Sequence, residues 1–283
     1  MSKPTKPTAQ STIDQSQFKS RMILAPQSAG RIGKSTISEA LLEWYDFAGI
    51  DATILDLDAA HLTLSKRYPE IATAFPDAAE SADGWAALMN AILPPPSPAM
   101  LLDMPAQATD HLLEQLIERG NLATLSEQGV RITCLIITAD DNAAITSAGR
   151  CVQVLGDRVD WVIVRAPGPK RPVADFEQSP LGKQLTALGA ATLTLPEITR
   201  PTLDRYKATS QAARQWLPMS EASKSMPPAA AHEIAYWRNR ALAGCEDIAA
   251  HLLPDVSLIQ TKVQRLASET LPPKSDFDEF ANL

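Results

Sequence analysis

Short runs of Ile, Val, Leu and Ala recur along the chain, separated by longer stretches with helical periodicity. The apolar runs fall at 21–25, 52–57, 99–103, 131–138, 161–166 and 191–195. They are mostly apolar on both faces, as are strands of a parallel sheet covered by helices. The stretches between them predict helices over 34–47, 84–92, 110–118, 142–154 and 179–188. Repeated alternation of this kind predicts an α/β fold, a doubly wound and mostly parallel sheet with helices on both faces. After residue 195 the pattern changes. Helices are predicted over 204–217 and 229–253, with a Ser/Met/Pro loop over 218–228 and a short amphipathic helix over 257–268. The expected organisation is a flexible N-terminal arm (1–19), an α/β domain (20–217), a C-terminal helical extension (218–268) and a mobile tail (269–283). The Pro94-Pro95-Pro96-Ser97-Pro98 run reads as a rigid connector, not a domain boundary.

Composition narrows the class. The 283 residues are 45% hydrophobic and 21% charged, which is ordinary for a globular protein and enough for a sizeable core. A net charge of −7 excludes polyanion binding by bulk charge and leaves room for a local basic patch. Six basic residues, Lys170, Arg171, Arg200, Arg205, Lys207 and Arg214, make 165–215 locally positive. On one face they would contact DNA phosphates without sequence preference, and scattered they are ordinary surface charge. Arg238 and Arg240, beside Tyr236 and Trp237, fit either a nucleic-acid or partner surface or the flank of a core tryptophan. Three widely spaced cysteines, Cys134, Cys151 and Cys245, form no disulfide or zinc pattern, so a cytoplasmic location is expected. No apolar run approaches the roughly 20 residues that span a bilayer, and 1–17 has no signal-peptide core. The histidines His61, His111, His232 and His251 show no ligand spacing.

The chemistry centres on Ala25-Pro26-Gln27-Ser28-Ala29-Gly30-Arg31-Ile32-Gly33-Lys34-Ser35-Thr36, between the first strand and the first helix. A strand, a small-residue loop ending in Gly-Lys-Ser-Thr and a helix is the layout of a phosphate-binding loop, whose N–H groups cradle phosphate oxygens. Lys34 would neutralise the β- and γ-phosphates, and the Ser35 hydroxyl would hold Mg²⁺. Ser28 occupies the place of the first glycine of the G-x-x-x-x-G-K-[ST] pattern. A Gly-Lys-Ser-Thr at a helix start is also what ordinary capping supplies. Two more strands end in acid: Ile54-Leu55-Asp56-Leu57-Asp58 and Leu101-Leu102-Asp103. In a parallel sheet these ends face the same crevice as the first loop. Asp103 is the candidate Mg²⁺ carboxylate and Asp58 the candidate for orienting water, with Asp56 its competitor.

These motifs together resemble the ParA/MinD group of P-loop ATPases, over about residues 20–217. The resemblance rests on the loop 30–36, Asp56-Leu57-Asp58, Leu101-Leu102-Asp103-Met104-Pro105 and Leu195-Pro196-Glu197-Ile198-Thr199-Arg200. It implies a P-loop fold, with ATP and Mg²⁺ as cofactors. The nucleotide would be bound by Ser28, Ala29, Gly30, Arg31, Ile32, Gly33, Lys34, Ser35 and Thr36, with Pro196 bordering the adenine. Catalysis would fall to Lys34 and Asp58, and metal binding to Ser35 and Asp103. It further implies slow hydrolysis, an ATP-dependent homodimer, non-specific DNA binding or a partner protein, and a role in plasmid partition, stability or conjugative transfer. The sequence departs from the family where its loop carries a signature lysine: Ala29 stands there, and Arg31 replaces the second glycine. Arg165 stands where the family often has an Asn near the base. Two other readings fit the same residues: a non-hydrolysing adaptor or scaffold, and a kinase or ligase of small molecules.

Overall fold

The computed structural model describes residues 18–59, 63–166, 175–213 and 215–254. The expected arm up to residue 17, the helix over 257–268 and the tail over 269–283 lie outside them, as do His61, Lys170, Arg171 and Arg214.

Seven parallel strands form one sheet: β1 (Ser20–Leu24), β2 (Ala52–Asp56), β3 (Ala72–Ala74), β4 (Ala99–Asp103), β5 (Val130–Ile137), β6 (Asp160–Arg165) and β7 (Ala191–Thr194). Their order is β3-β2-β4-β1-β5-β6-β7. The chain therefore winds outward from β1 to one edge, returns beside β1, and then winds to the other edge. Crevices at the carboxyl ends of strands open where such a sheet reverses direction, here on either side of β1.

The helices in chain order are α1 (Lys34–Ala48), α2 (Thr63–Arg67), α3 (Ala82–Ile92), α4 (Thr109–Leu113), α5 (Asn121–Glu127), α6 (Asn142–Leu155), α7 (Pro180–Ala187), α8 (Arg200–Ala213), α9 (Met219–Ala222), α10 (Pro228–Asp247) and α11 (Ala249–Leu252). Alternation along each strand separates two cores. Ile23, Leu101, Leu135, Ile137, Val162 and Leu193 face α1 and the C-terminal helices. Met22, Leu102, Ile132, Cys134, Ile136 and Ile163 face α3, α4, α6 and α7. All three cysteines are free and buried.

Helix α1 shows why the sequence folds this way. Ile37, Ala40, Leu41, Trp44, Tyr45 and Ala48 recur at three- and four-residue spacing and are all buried against the sheet. Gly49 ends the helix in the left-handed conformation, and its N–H donates to the Asp46 carbonyl. Two carboxylates one turn apart on α1 are fully buried and tie it to later helices. Glu39 pairs with Arg67 of α2, accepts from the Tyr68 hydroxyl at 3.1 Å and lies 3.6 Å from Lys207 of α8. Glu43 pairs with Arg238 of α10 and accepts the Met219 N–H at 2.8 Å.

Several expectations shift. Thr73 and its alanine neighbours form a short strand at the sheet edge, paired only with β2, which no apolar run announced. Asp103 thus ends the fourth strand, not the third. The helix expected over 110–118 is α4 followed by one turn of π-helix, Glu114–Glu118. Helix α8 begins at Arg200, before the expected 204, because Pro201 sits in its first turn, where a missing N–H costs nothing. Trp237 is core, and Arg238 turns inward onto Glu43 with its guanidinium over the Phe47 ring.

Candidate functional site

The loop after β1 is pinned from both sides. Strand β5 outlasts β1: their register ends at Leu24 opposite Cys134, while β5 continues to Ile137. The amide of Gln27 continues the ladder in place of the missing strand. Its Nε2 donates to the Ile137 carbonyl at 2.9 Å and its Oε1 accepts the Ile137 N–H at 2.7 Å. Nε2 also reaches the Ala144 carbonyl of α6 at 3.3 Å. From the other side, the Thr109 hydroxyl of α4 donates to the Pro26 carbonyl and lies 2.5 Å from Ser28 Oγ. The Ser28 N–H donates to Ser147 Oγ of α6 at 2.9 Å. Ser28 was expected among the phosphate ligands, yet its amide is engaged in holding the loop. Gln27, Thr109 and Ser147 were given no role by the sequence, and the last two lie too far along the chain to signal one.

The second half of the loop is the open part. Ala29 and Ile32 bury their side chains, whereas Gly30 and Arg31 are exposed and Gly33, Lys34, Ser35 and Thr36 are half-exposed. Gly33 has φ 103° and Arg31 φ 60°, both left-handed; the arginine bears a steric cost there that glycine does not. Gly33 is the N-cap of α1, and no side chain among the described residues caps this end. The first-turn N–H groups of a long helix are left for an anion, at the positive end of its dipole.

Lys34 folds back over the loop, its Nζ donating to the Gln27 carbonyl at 3.1 Å. Burial lowers its pKa, and the nearby Asp103 and Asp58 offset part of that. Asp56 and Asp103 are opposite one another in the β2–β4 register. They differ in what surrounds them. Asp56 is satisfied structurally, accepting from the Ser65 N–H at 2.8 Å, the Ser65 hydroxyl at 2.9 Å and the Asp58 N–H at 3.2 Å. Asp103 is 6% exposed and accepts no side-chain hydrogen bond among the described residues. Burial, reinforced by Asp56 and Asp58 and opposed by Lys34, pushes its carboxyl up to about 7. A desolvated carboxylate short of positive charge is suited to a cation. Lys34, Ser38 and Asp103 line one narrow cleft with Leu24 and Ala25.

The structure thus brings Lys34, Asp103 and Asp58 together and assigns Asp56 to the scaffold. Pro196 lies beyond the end of β7, three strands from β1, or about 14 Å at ordinary strand spacing. Its carbonyl accepts from Trp237 Nε1 at 3.0 Å. Among the described residues, no three His, Cys, Asp or Glu side chains cluster as a metal cage. That is compatible with Mg²⁺, which is commonly held by one or two protein oxygens, phosphates and water. Of the basic residues over 165–215, Arg165 pairs with Glu177, Arg200 with Asp204, and Lys207 faces Glu39. No helix among the described residues is long and apolar enough to cross a membrane.

A parallel α/β sheet with an anion-ready loop and a strand-end carboxylate beside it defines a candidate nucleotide-binding protein of the P-loop kind. No family model and no curated protein matches the chain. Among solved structures, it is similar to the MinD cell division protein of Aquifex aeolicus at 13% identity and a TM-score of 0.40, over 90% of this chain and 99% of that one. It is likewise similar to a chain of the MinC:MinD cell division protein complex of the same organism, at 13% identity and a TM-score of 0.39, over 90% of this chain and 98% of that one. At this level the likeness assigns no function, and the reading below rests on the site.

Proposed function

We propose that the chain is a ParA/MinD-like protein that binds Mg·ATP, dimerises around it and hydrolyses it slowly. One observation carries the proposal: the uncapped start of α1, with Lys34 at its first position, stands beside the buried and undercompensated Asp103. The N–H groups of 33–36 and the Lys34 ammonium bind and neutralise the terminal phosphates. Ser35 and Asp103 are the residues that would hold Mg²⁺, which supplies charge neutralisation on the phosphate oxygens. Asp58, at the mouth of β2, orients the attacking water. Catalysis is then mainly positioning and electrostatics. Slow turnover follows from the loop chemistry, since Ala29 provides no cation and Arg31 is the exposed side chain left for a partner's nucleotide. A role in plasmid partition, stability or conjugative transfer, with a partner protein that stimulates turnover, belongs to this same reading.

The second reading, a nucleotide-dependent adaptor without turnover, is favoured by Ala29 and by the engagement of the Ser28 N–H with Ser147. Lys34→Ala tests the site common to both. Removing the loop's one lysine is expected to weaken Mg·ATP binding by about 100-fold, the loss of charge-assisted bonds to phosphate. Unchanged affinity would reject the phosphate site. Measurable binding by the wild type with no phosphate release would select the adaptor.

A further inference from the structure

At the amino ends of the strands, away from the phosphate loop, a groove of about 350 Å³ opens between α5 and the start of β5. That size is within the range of ligand-binding clefts. Helix α5 stands off the sheet: it follows the wide π-turn Glu114–Glu118 and the left-handed Gly120, and it buries only Leu125. Leu116, Ile117, Leu122, Val130 and Ile132 form the apolar part of the groove, and the exposed Ala123 flanks it. Arg131 and Arg158 are its charged lining, and no carboxylate lines it. Positive charge is in excess at this end. Arg21 and Arg131 share one carboxylate, that of Asp160. The exposed Arg158 donates to the backbone carbonyls of Val154 and Leu155, which carry no charge to set against its own.

The described chain is led to this same edge. Four side chains grip four consecutive carbonyls at its end. Arg21 donates to Ala250 at 3.2 Å and to Leu253 at 2.7 Å, the Thr133 hydroxyl to His251 at 2.6 Å and the Tyr45 hydroxyl to Leu252 at 2.7 Å. Arg21 is opposite Arg131 in the β1–β5 register, so residue 254 is delivered about one strand spacing from the groove's arginine. Of the sequence beyond, 276–280 reads Asp276-Phe277-Asp278-Glu279-Phe280, two aromatic rings among three acids. The apolar stretch 256–266 carries Lys262 and Arg265 with no acid, and 1–17 carries Lys3 and Lys6 with Asp14 its one acid. Both lack the charge that two arginines favour. The tether is long enough: a chain the length of 255–276 would span about 25 Å even as a random coil. We propose that the groove between α5 and β5 is the docking site of the chain's own segment 276–280. Phe277 and Phe280 fill its apolar part, and Asp276, Asp278 and Glu279 face Arg131 and Arg158. This assignment does not rest on the nucleotide reading, since the groove and the phosphate loop lie at opposite ends of the strands.

The test vacates the groove and refills it. A fluorescein-labelled peptide with the sequence of 271–283 is titrated with the full-length chain, and anisotropy reads binding. The chain carrying Phe277→Ala and Phe280→Ala has lost its own occupant and should bind the peptide saturably. The wild type should bind it at least about tenfold more weakly, because a tethered segment competes at an effective concentration near millimolar. Adding Ala123→Glu to the double variant places a like charge at the groove, and adding Arg158→Gln removes an attractive one. Each should weaken the peptide at least about fivefold, and raised salt should weaken it further. Both positions are exposed, and circular dichroism checks that the variants fold. No saturable binding by the double variant, equal binding by the wild type, or indifference to both groove substitutions would overturn the proposal. So would a wild type of twice the chain mass by light scattering without nucleotide if the double variant were monomeric, since the segment would then lie on a second copy.

Discussion

Gln27 gives the sharpest prediction about how the loop is built. Strand β1 ends opposite Cys134, so the N–H and C=O of Ile137 have no β1 backbone to meet, and the Gln27 amide meets both. Gln27 is 1% exposed and Ile137 2%, so water does not readily replace the amide. Gln27→Leu keeps approximate size and removes both partners. Leaving a buried backbone donor or acceptor unpaired costs about 1–3 kcal/mol each, so two give about 2–6 kcal/mol. With a slope of about 3 kcal/mol per molar, the urea midpoint should fall by about 0.7–2 M. Gln27→Glu should be no better, because it keeps the acceptor for the Ile137 N–H but sets a buried carboxylate against the Ile137 carbonyl. Equilibrium urea unfolding followed by circular dichroism reads the difference. A Gln27→Leu midpoint within about 0.2 M of wild type would refute the view that this side chain completes the ladder.

Three further outcomes follow from the same geometry. Asp103→Asn removes a buried carboxylate with no side-chain donor among the described residues, so it should raise the melting temperature while weakening nucleotide binding in Mg²⁺ more than in EDTA; a lower melting temperature or equal loss in both buffers would contradict this. Arg31→Ala should lower ATP turnover and leave the affinity of the monomer unchanged, and turnover equal to wild type would remove Arg31 from the reaction. Burial disfavours the Asp160 charge, but Arg131 and the buried Arg21 more than offset that and hold its carboxyl below the ordinary 3.8. A depressed carboxylate pKa gives stability that is present above 3.8 and lost as pH falls through the folded-state value. Asp160→Asn should therefore be less stable than wild type at pH 7, with the gap closing below about pH 4; a gap independent of pH would contradict the pairing.

The α/β fold was legible because six of the seven strands fall in short, mostly apolar runs and α1 carries its buried residues at regular spacing. The edge strand was not, since Ala72-Thr73-Ala74 has no apolar run, and neither was α5, where only Leu125 is buried. Lys34, Asp58 and Asp103 could be named because chemistry at strand ends leaves local marks. Asp56 could not be ruled out from sequence, because its partner Ser65 and its register with Asp103 belong to the fold. The same holds for Thr109 and Ser147, whose partners lie 81 and 119 positions away. Of the two readings of Arg238, the one that flanks a core tryptophan holds: Trp237 is buried, and Arg238 neutralises a carboxylate inside the protein, a partner the sequence could not name.

The central claim is that the loop between β1 and α1 holds Mg·ATP. It is tested most directly by titrating the wild-type protein with Mg·ATP in a calorimeter while light scattering follows its mass. The account predicts saturable, Mg²⁺-dependent binding of one nucleotide per chain, accompanied by a doubling of mass. Absence of any binding heat at millimolar ATP, with no change in mass, would contradict it.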